Sequence, residues 1–144
     1  MAIPTQIELQ IVTPDRNLVQ VQVDEVQIPG AAGYFGVLPG HAPLLAALAA
    51  GELWYREGQE KTYLSIAFGF AEVLPERVTI LARLAERAEE IDVGRAEVAR
   101  KRAEERLADQ KSDIDYERAK IALSKALVRL QVSSRVGTSP RRAQ

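Results

Sequence analysis

The chain has 144 residues but no cysteine, one histidine, one tryptophan and one methionine. Without thiols it can have no disulfide framework, thiolate metal site or catalytic cysteine, and a lone His41 cannot build a multi-histidine metal centre. Charge is missing from Gln27 to Gly51, a run long enough to resemble a membrane span. Pro29, Gly30, Gly33, Gly36, Pro39, Gly40 and Pro43 would break any helix there, so the run reads as buried strands and turns. Met1-Ala2-Ile3-Pro4-Thr5 has no basic region leading into an apolar core, so no secretory leader is expected and the cytoplasm is the expected compartment. Acid is absent after Glu117, while Arg118, Lys120, Lys125, Arg129, Arg135, Arg141 and Arg142 follow it. That end of the chain is suited to a negative partner.

The rest of the composition is that of an ordinary soluble globular protein of one or two small domains: 47% hydrophobic, 27% charged, net charge −1. The near-neutral total hides two unlike halves. Residues 1–81 carry four bases against nine acids, and residues 82–144 carry fifteen bases against eleven acids.

Hydrophobic period separates the same halves. Ile7, Leu9 and Ile11 alternate with Glu8 and Gln10, and Val19, Val21 and Val23 with Gln20 and Gln22. Further apolar runs lie at 26–28, 34–38, 53–56, 63–68, 70–74 and 78–81, between turn signals such as Pro14-Asp15, Glu57-Gly58 and Pro75-Glu76. Many short strands without intervening helices predict an antiparallel sandwich or flattened barrel. Near Ala82 the pattern changes. Ala96, Ala99, Ala103 and Leu107 mark one helix face with Asp92 as N-cap, and Asp109–Ser112 interrupts it. Ser112 and Asp115 resemble a capping box opening a second helix, whose stripe is Tyr116, Ala119, Leu123, Ala126, Leu127 and Leu130. The expected fold is therefore α+β. An antiparallel helical hairpin, with a seam rich in alanine, follows the sandwich, and disorder is expected from Ser133 onward. Alanine buries little per residue, so this seam permits opening.

No motif declares an enzyme. Gly30-Ala31-Ala32-Gly33-Tyr34-Phe35-Gly36 lacks the Gly-Lys-Ser/Thr ending of a phosphate loop and opens no helix, which leaves turn and bulge glycines. His41, in Pro39-Gly40-His41-Ala42-Pro43, has no nucleophile or acid in triad-like context and reads as a structural loop residue. Glu86, Glu89, Glu90 and Asp92 suit the approach to a helix N-terminus better than a paired-carboxylate site. The basic second helix is more informative, since Lys125 and Arg129, four apart, share a face able to grip a polyphosphate. Its candidate targets are nucleic acid, an acidic protein surface and nucleotide phosphates. Against nucleic acid stand the lack of interleaved aromatics and a pI near 5.9.

Together Val12-Thr13-Pro14-Asp15, Pro39-Gly40-His41-Ala42-Pro43-Leu44, Gly69-Phe70-Ala71-Glu72-Val73, Val78-Thr79-Ile80-Leu81-Ala82 and Ala85-Glu86-Arg87-Ala88-Glu89-Glu90-Ile91-Asp92-Val93-Gly94-Arg95-Ala96 closely resemble the epsilon subunits of bacterial F-type ATP synthase, over nearly the whole chain. The resemblance implies a β-sandwich of about ten strands over residues 1–85, a regulatory hairpin over 86–135 and a basic tail over 136–144. It implies a non-catalytic rotor part, peripheral to the cytoplasmic face of the membrane, whose partners are the gamma subunit and the c-ring, with no nucleic acid and no membrane insertion. Tyr34, Gly36, Pro39, Gly40 and His41 would form the rotor-contact loop. Some relatives carry glutamate where Tyr34 stands. An opened hairpin would reach the alpha and beta subunits and block ATP hydrolysis. In some members the folded hairpin binds ATP as a regulatory ligand, with no obligatory cofactor and no metal. The matching residues are Glu86, Ile91, Asp92, Arg95, Ala96, Lys125 and Arg129. Lys125 replaces an arginine of the nucleotide-binding relatives and loses the planar fork, and Gly94 costs the first helical turns about 1 kcal/mol relative to alanine.

Overall fold

The computed structural model describes residues 3–109 and 113–136. Alternation does in the first strand what the sequence predicts: β1 (Ile7–Val12) buries Ile7, Leu9 and Ile11 completely. It pairs antiparallel with β2 (Asn17–Val23), Ile7 opposite Val23 and Ile11 opposite Val19. Five further strands follow: β3 (Glu25–Gly30), β4 (Gly33–Val37), β5 (Leu44–Glu57), β6 (Glu60–Val73) and β7 (Arg77–Arg87). The seven lie in the order β2-β1-β7-β6-β5-β3-β4, wrapped as a sandwich around one apolar core that draws on both ends of this order.

Among the described residues seven strands stand where the resemblance implies about ten, and β5, β6 and β7 are long. A straight strand of 14 residues, the length of β5 and of β6, would span about 46 Å at 3.3 Å per residue. That exceeds a small sandwich, so these strands bend. Pairing lapses at Phe68, which has neither Ala49 nor Arg83 as a ladder partner, while the register on either side is unchanged. Phe68 has φ 64° and Gly69 φ 119°, a kink that adds no residue to the ladder and leaves the two apolar runs 63–68 and 70–74 in one strand. Only β6 reads as two segments in the sequence; β5 and β7 extend beyond the runs at 53–56 and 78–81 that their periodicity marks. A second difference is that β1 and β7 run parallel, which the long stretch of chain between them permits. A third is that β7 continues to Arg87, past the change of period at Ala82, because Ala82 and Ala85 still face the core.

A single 3-10 turn (Ala88–Glu90) leads to helices α1 (Val93–Ala108) and α2 (Asp113–Ser133). The turn is fastened to the sandwich: Arg16 pairs with Glu90, and Arg87 donates to the Leu18 carbonyl at 2.8 Å. Asp92 is the α1 N-cap, its carboxylate accepting from the Arg95 N–H at 3.1 Å. Asp92→Ala is expected to cost about 1 kcal/mol, seen as faster amide exchange confined to the first turn of α1. The Ser112 cap and the basic tail beyond Val136 lie outside the described residues. Ala96 and Ala103 of α1 are buried, as are Ala119 and Ala126 of α2. Tyr116 and Leu127, read as part of the stripe, are instead exposed, Leu127 standing about 100° around α2 from buried Ala126. Helix α2 lies against β5, β6 and the 3-10 turn, and α1 packs on α2.

Candidate functional site

The residues that seat α2 belong to one row across the sheet. Glu52 of β5 is opposite Ser65 of β6, and Ser65 is opposite Glu86 of β7, so two carboxylates flank one serine on the outward face. Two strand spacings separate the glutamates by about 9.6 Å. Arg129 lies on α2, and Arg135 stands in the turn two residues past its end, where its N–H donates to the Val132 carbonyl at 2.9 Å. Each arginine reaches one glutamate. Arg129 donates from Nε and Nη2 to the Glu86 carboxylate at 2.7 and 3.3 Å. Arg135 donates to Glu52 in the same two-pronged way, at 3.1 and 3.2 Å.

Between the arginines Val132 is fully buried, packed with Ala88, Ile91, Tyr63 and Val128. Val132, on the last turn of α2, is thus an apolar peg flanked by one ionic contact from the helix and one from the turn that follows it. The Arg135 guanidinium also lies 4.8 Å from the centre of the Tyr63 ring, and hydrogen bonding to Glu52 holds it above its ordinary pKa. Glu52 is 7% exposed, and its backbone N–H donates to the Tyr34 hydroxyl at 3.1 Å.

Beside this row, Glu86, Arg118, Lys125 and Arg129 meet Leu84 and Ile121 in a cleft of about 630 Å³. Lys125 lies 5.7 Å from the centre of the Phe68 ring. Of the residues matched to a nucleotide site, Glu86, Lys125 and Arg129 thus converge. Arg95 opens instead on a neighbouring groove with Gly94, Val98 and Arg102, and Ala99 lines both. Ile91 is buried beneath Val132, Ala96 is buried in the helical seam, and Asp92 caps α1. Tyr34 and Gly36 stand on strand β4, and Pro39, Gly40 and His41 in the connection after it. There the Gly40 N–H donates to the Pro75 carbonyl at 2.8 Å, and His41 Nδ1 lies 2.7 Å from the Ala42 carbonyl. Among the described residues, no group of three or more His, Asp or Glu is placed to hold a metal ion.

Glu52 and Arg135 are the residues that reading the sequence missed. Glu52 is the first charge after the neutral run and sits on the outward side of a strand, where a solvated glutamate is the default. Only the return of the chain's far end, 83 residues on, buries it.

A bent-strand sandwich with a docked two-helix hairpin is the architecture of a known class. The sequence matches the ATP synthase delta/epsilon chain β-sandwich domain over residues 6–88 and the delta/epsilon chain long α-helix domain over residues 89–134. It is 51% identical over 130 residues to an ATP synthase epsilon chain of Syntrophobacter fumaroxidans, covering 90% of this chain and 97% of that one. It is 58% identical over 99 residues to that of Koribacter versatilis, covering 69% and 70%. A chain in a structure of the Euglena gracilis mitochondrial ATP synthase, comprising OSCP, F1 and the c-ring, superposes with a TM-score of 0.81 at 28% identity, covering 93% of this chain and 84% of that one. The chain belongs to the ATP synthase epsilon chains.

Proposed function

We propose that this chain is a non-catalytic rotor subunit, peripheral at the cytoplasmic face of the membrane, whose sandwich joins the gamma subunit to the c-ring and whose hairpin restrains ATP hydrolysis. Among the described residues no helix is long and apolar enough to cross a membrane. An apolar row on the sheet supports gamma docking: Ala47 is opposite Phe70, Phe70 opposite Leu81 and Leu81 opposite Val12. Phe70 and Leu81 are each more than half exposed. The connection holding Pro39, Gly40 and His41 is the candidate c-ring contact.

The observation that carries the regulatory reading is how α2 is held. It meets α1 through alanines, and with the turn that follows it meets the sheet through two ion pairs around one valine, contacts that can be broken without opening the sandwich core. Undocked, its acid-free basic half is suited to acidic segments of the alpha and beta subunits. ATP favours the docked form by entering the cleft of Glu86, Lys125 and Arg129, with phosphate taking the Arg129 fork from Glu86 and Arg95 reaching in from its adjoining groove. At a concentration about 100 times its dissociation constant, ATP would stabilise that form by about 2.7 kcal/mol if the open form does not bind it. Calorimetric titration of the full chain with ATP is expected to show saturable binding that Arg129→Ala abolishes. Absence of binding up to cellular ATP concentrations overturns the sensing role and leaves the rotor role standing.

A further inference from the structure

We infer that the Arg135–Glu52 pair is a latch that sets how often α2 leaves the sheet, separate from the nucleotide cleft. The inference rests on the reading that the hairpin undocks. Two contacts of the same geometry hold α2, but their surroundings differ. Arg129 and Glu86 border the open cleft, so an entering anion can draw Arg129 away from its carboxylate. Glu52 does not border that cleft. Its side chain is 9% exposed, covered by the end of α2 with Ser65 opposite it, and its backbone is fixed by the Tyr34 hydroxyl. A carboxylate so placed gives up most of its hydration when α2 docks, and the two-pronged guanidinium replaces it. The Tyr63 face beneath Arg135 adds a cation–π contact that holds the fork in position.

The pairing of two forks with two glutamates two strands apart gives the latch a second role. With both forks engaged, α2 can occupy only one register on the sheet, because sliding it by one turn, about 5.4 Å, would misplace both arginines against glutamates two strands apart. With Arg129 diverted to an anion, Arg135 alone keeps Val132 seated over Tyr63, Ala88 and Ile91. The closed, ligand-bound hairpin therefore depends on Arg135 more than the closed, ligand-free one does.

Amide hydrogen exchange on the full chain, read by mass spectrometry, tests this. In the unaltered protein the C-terminal half of α2 is expected to exchange faster than the central part of β6, through undocking short of global unfolding. Arg135→Ala and Glu52→Gln are each expected to speed α2 exchange about tenfold, equivalent to about 1.4 kcal/mol, and to leave β6 unchanged. Arg135→Lys keeps the charge without the fork and falls between. The double variant Arg135→Ala with Glu52→Gln is expected to exchange no faster than Arg135→Ala alone, since both changes remove one interaction. If α2 already exchanges faster than β6 but both single variants leave its rate within about twofold of the unaltered protein, well under the effect expected for a charged hydrogen bond, the latch is overturned and the switch stands. If α2 and β6 exchange at one common rate in every variant, the hairpin leaves only on global unfolding, and the switch falls together with the latch.

Discussion

Gly69→Ala is expected to destabilise the sandwich by about 4 kcal/mol or more, enough to unfold a domain of ordinary marginal stability. Gly69 has φ 119°, a region closed to side chains, and a Cβ there would stand 1.9 Å from the Leu81 carbonyl oxygen and 3.0 Å from the Ala82 Cα. Both obstacles are backbone of the neighbouring strand β7, so no side-chain rotation relieves them. The position is also where β6 resumes pairing after the kink, Gly69 opposite Leu48 on one side and Ala82 on the other. Moving the backbone aside would break two ladders together. Urea titration of the full chain should show the midpoint collapsing or no folded baseline at all. Gly36→Ala is the control, because a Cβ at Gly36 meets nothing within 4 Å. Its midpoint should stay near that of the unaltered protein, and a Gly69→Ala midpoint equally unmoved would show that the bend accepts a side chain.

Ending the chain at Asp109 is expected to remove the helical signal almost completely rather than in proportion to the residues lost. Helix α1 packs on α2, and the loss of Ala119 and Ala126 leaves its own buried alanines, Ala96 and Ala103, without a facing surface. A helix of 16 residues that includes Gly94 is marginal in water when isolated. Far-ultraviolet circular dichroism should therefore show strand content with little helix, while the sandwich retains its core of β-strand residues. Functionally, the shortened chain should still assemble into ATP synthase and should fail to restrain hydrolysis. If the shortened chain did not assemble, the division of labour between sandwich and hairpin would be wrong. A persisting α1 signal would mean that contacts other than α2 hold that helix.

Period and composition made the outline readable, and long-range closure hid the rest. The strand β1 follows from Ile7, Leu9 and Ile11, and the start of α1 from Asp92, because both signals are local: a period of two and a cap three residues from the N–H it accepts. The bend at Phe68 was not readable, since an apolar run broken by glycine looks alike whether the chain turns back or only kinks. The parallel contact of β1 with β7 joins residues some 70 positions apart, and no local pattern reports it. The candidate cleft shows the same division. Lys125 and Arg129 could be placed together because helical spacing puts them on one face, and Glu86 completes the group only through the register of β7 under α2. Arg95 illustrates the reverse, a residue of the family motif that the start of α1 turns toward the adjoining groove.

The row that seats α2 has one more neighbour on its outward face. Trp54, two residues beyond Glu52 on β5, is paired with Tyr63, whose ring carries the Arg135 guanidinium. It is the sole tryptophan of the chain. The protein thus possesses an intrinsic fluorophore one ladder step from its docking contact, and its emission can follow the hairpin in real time without a dye or an added label.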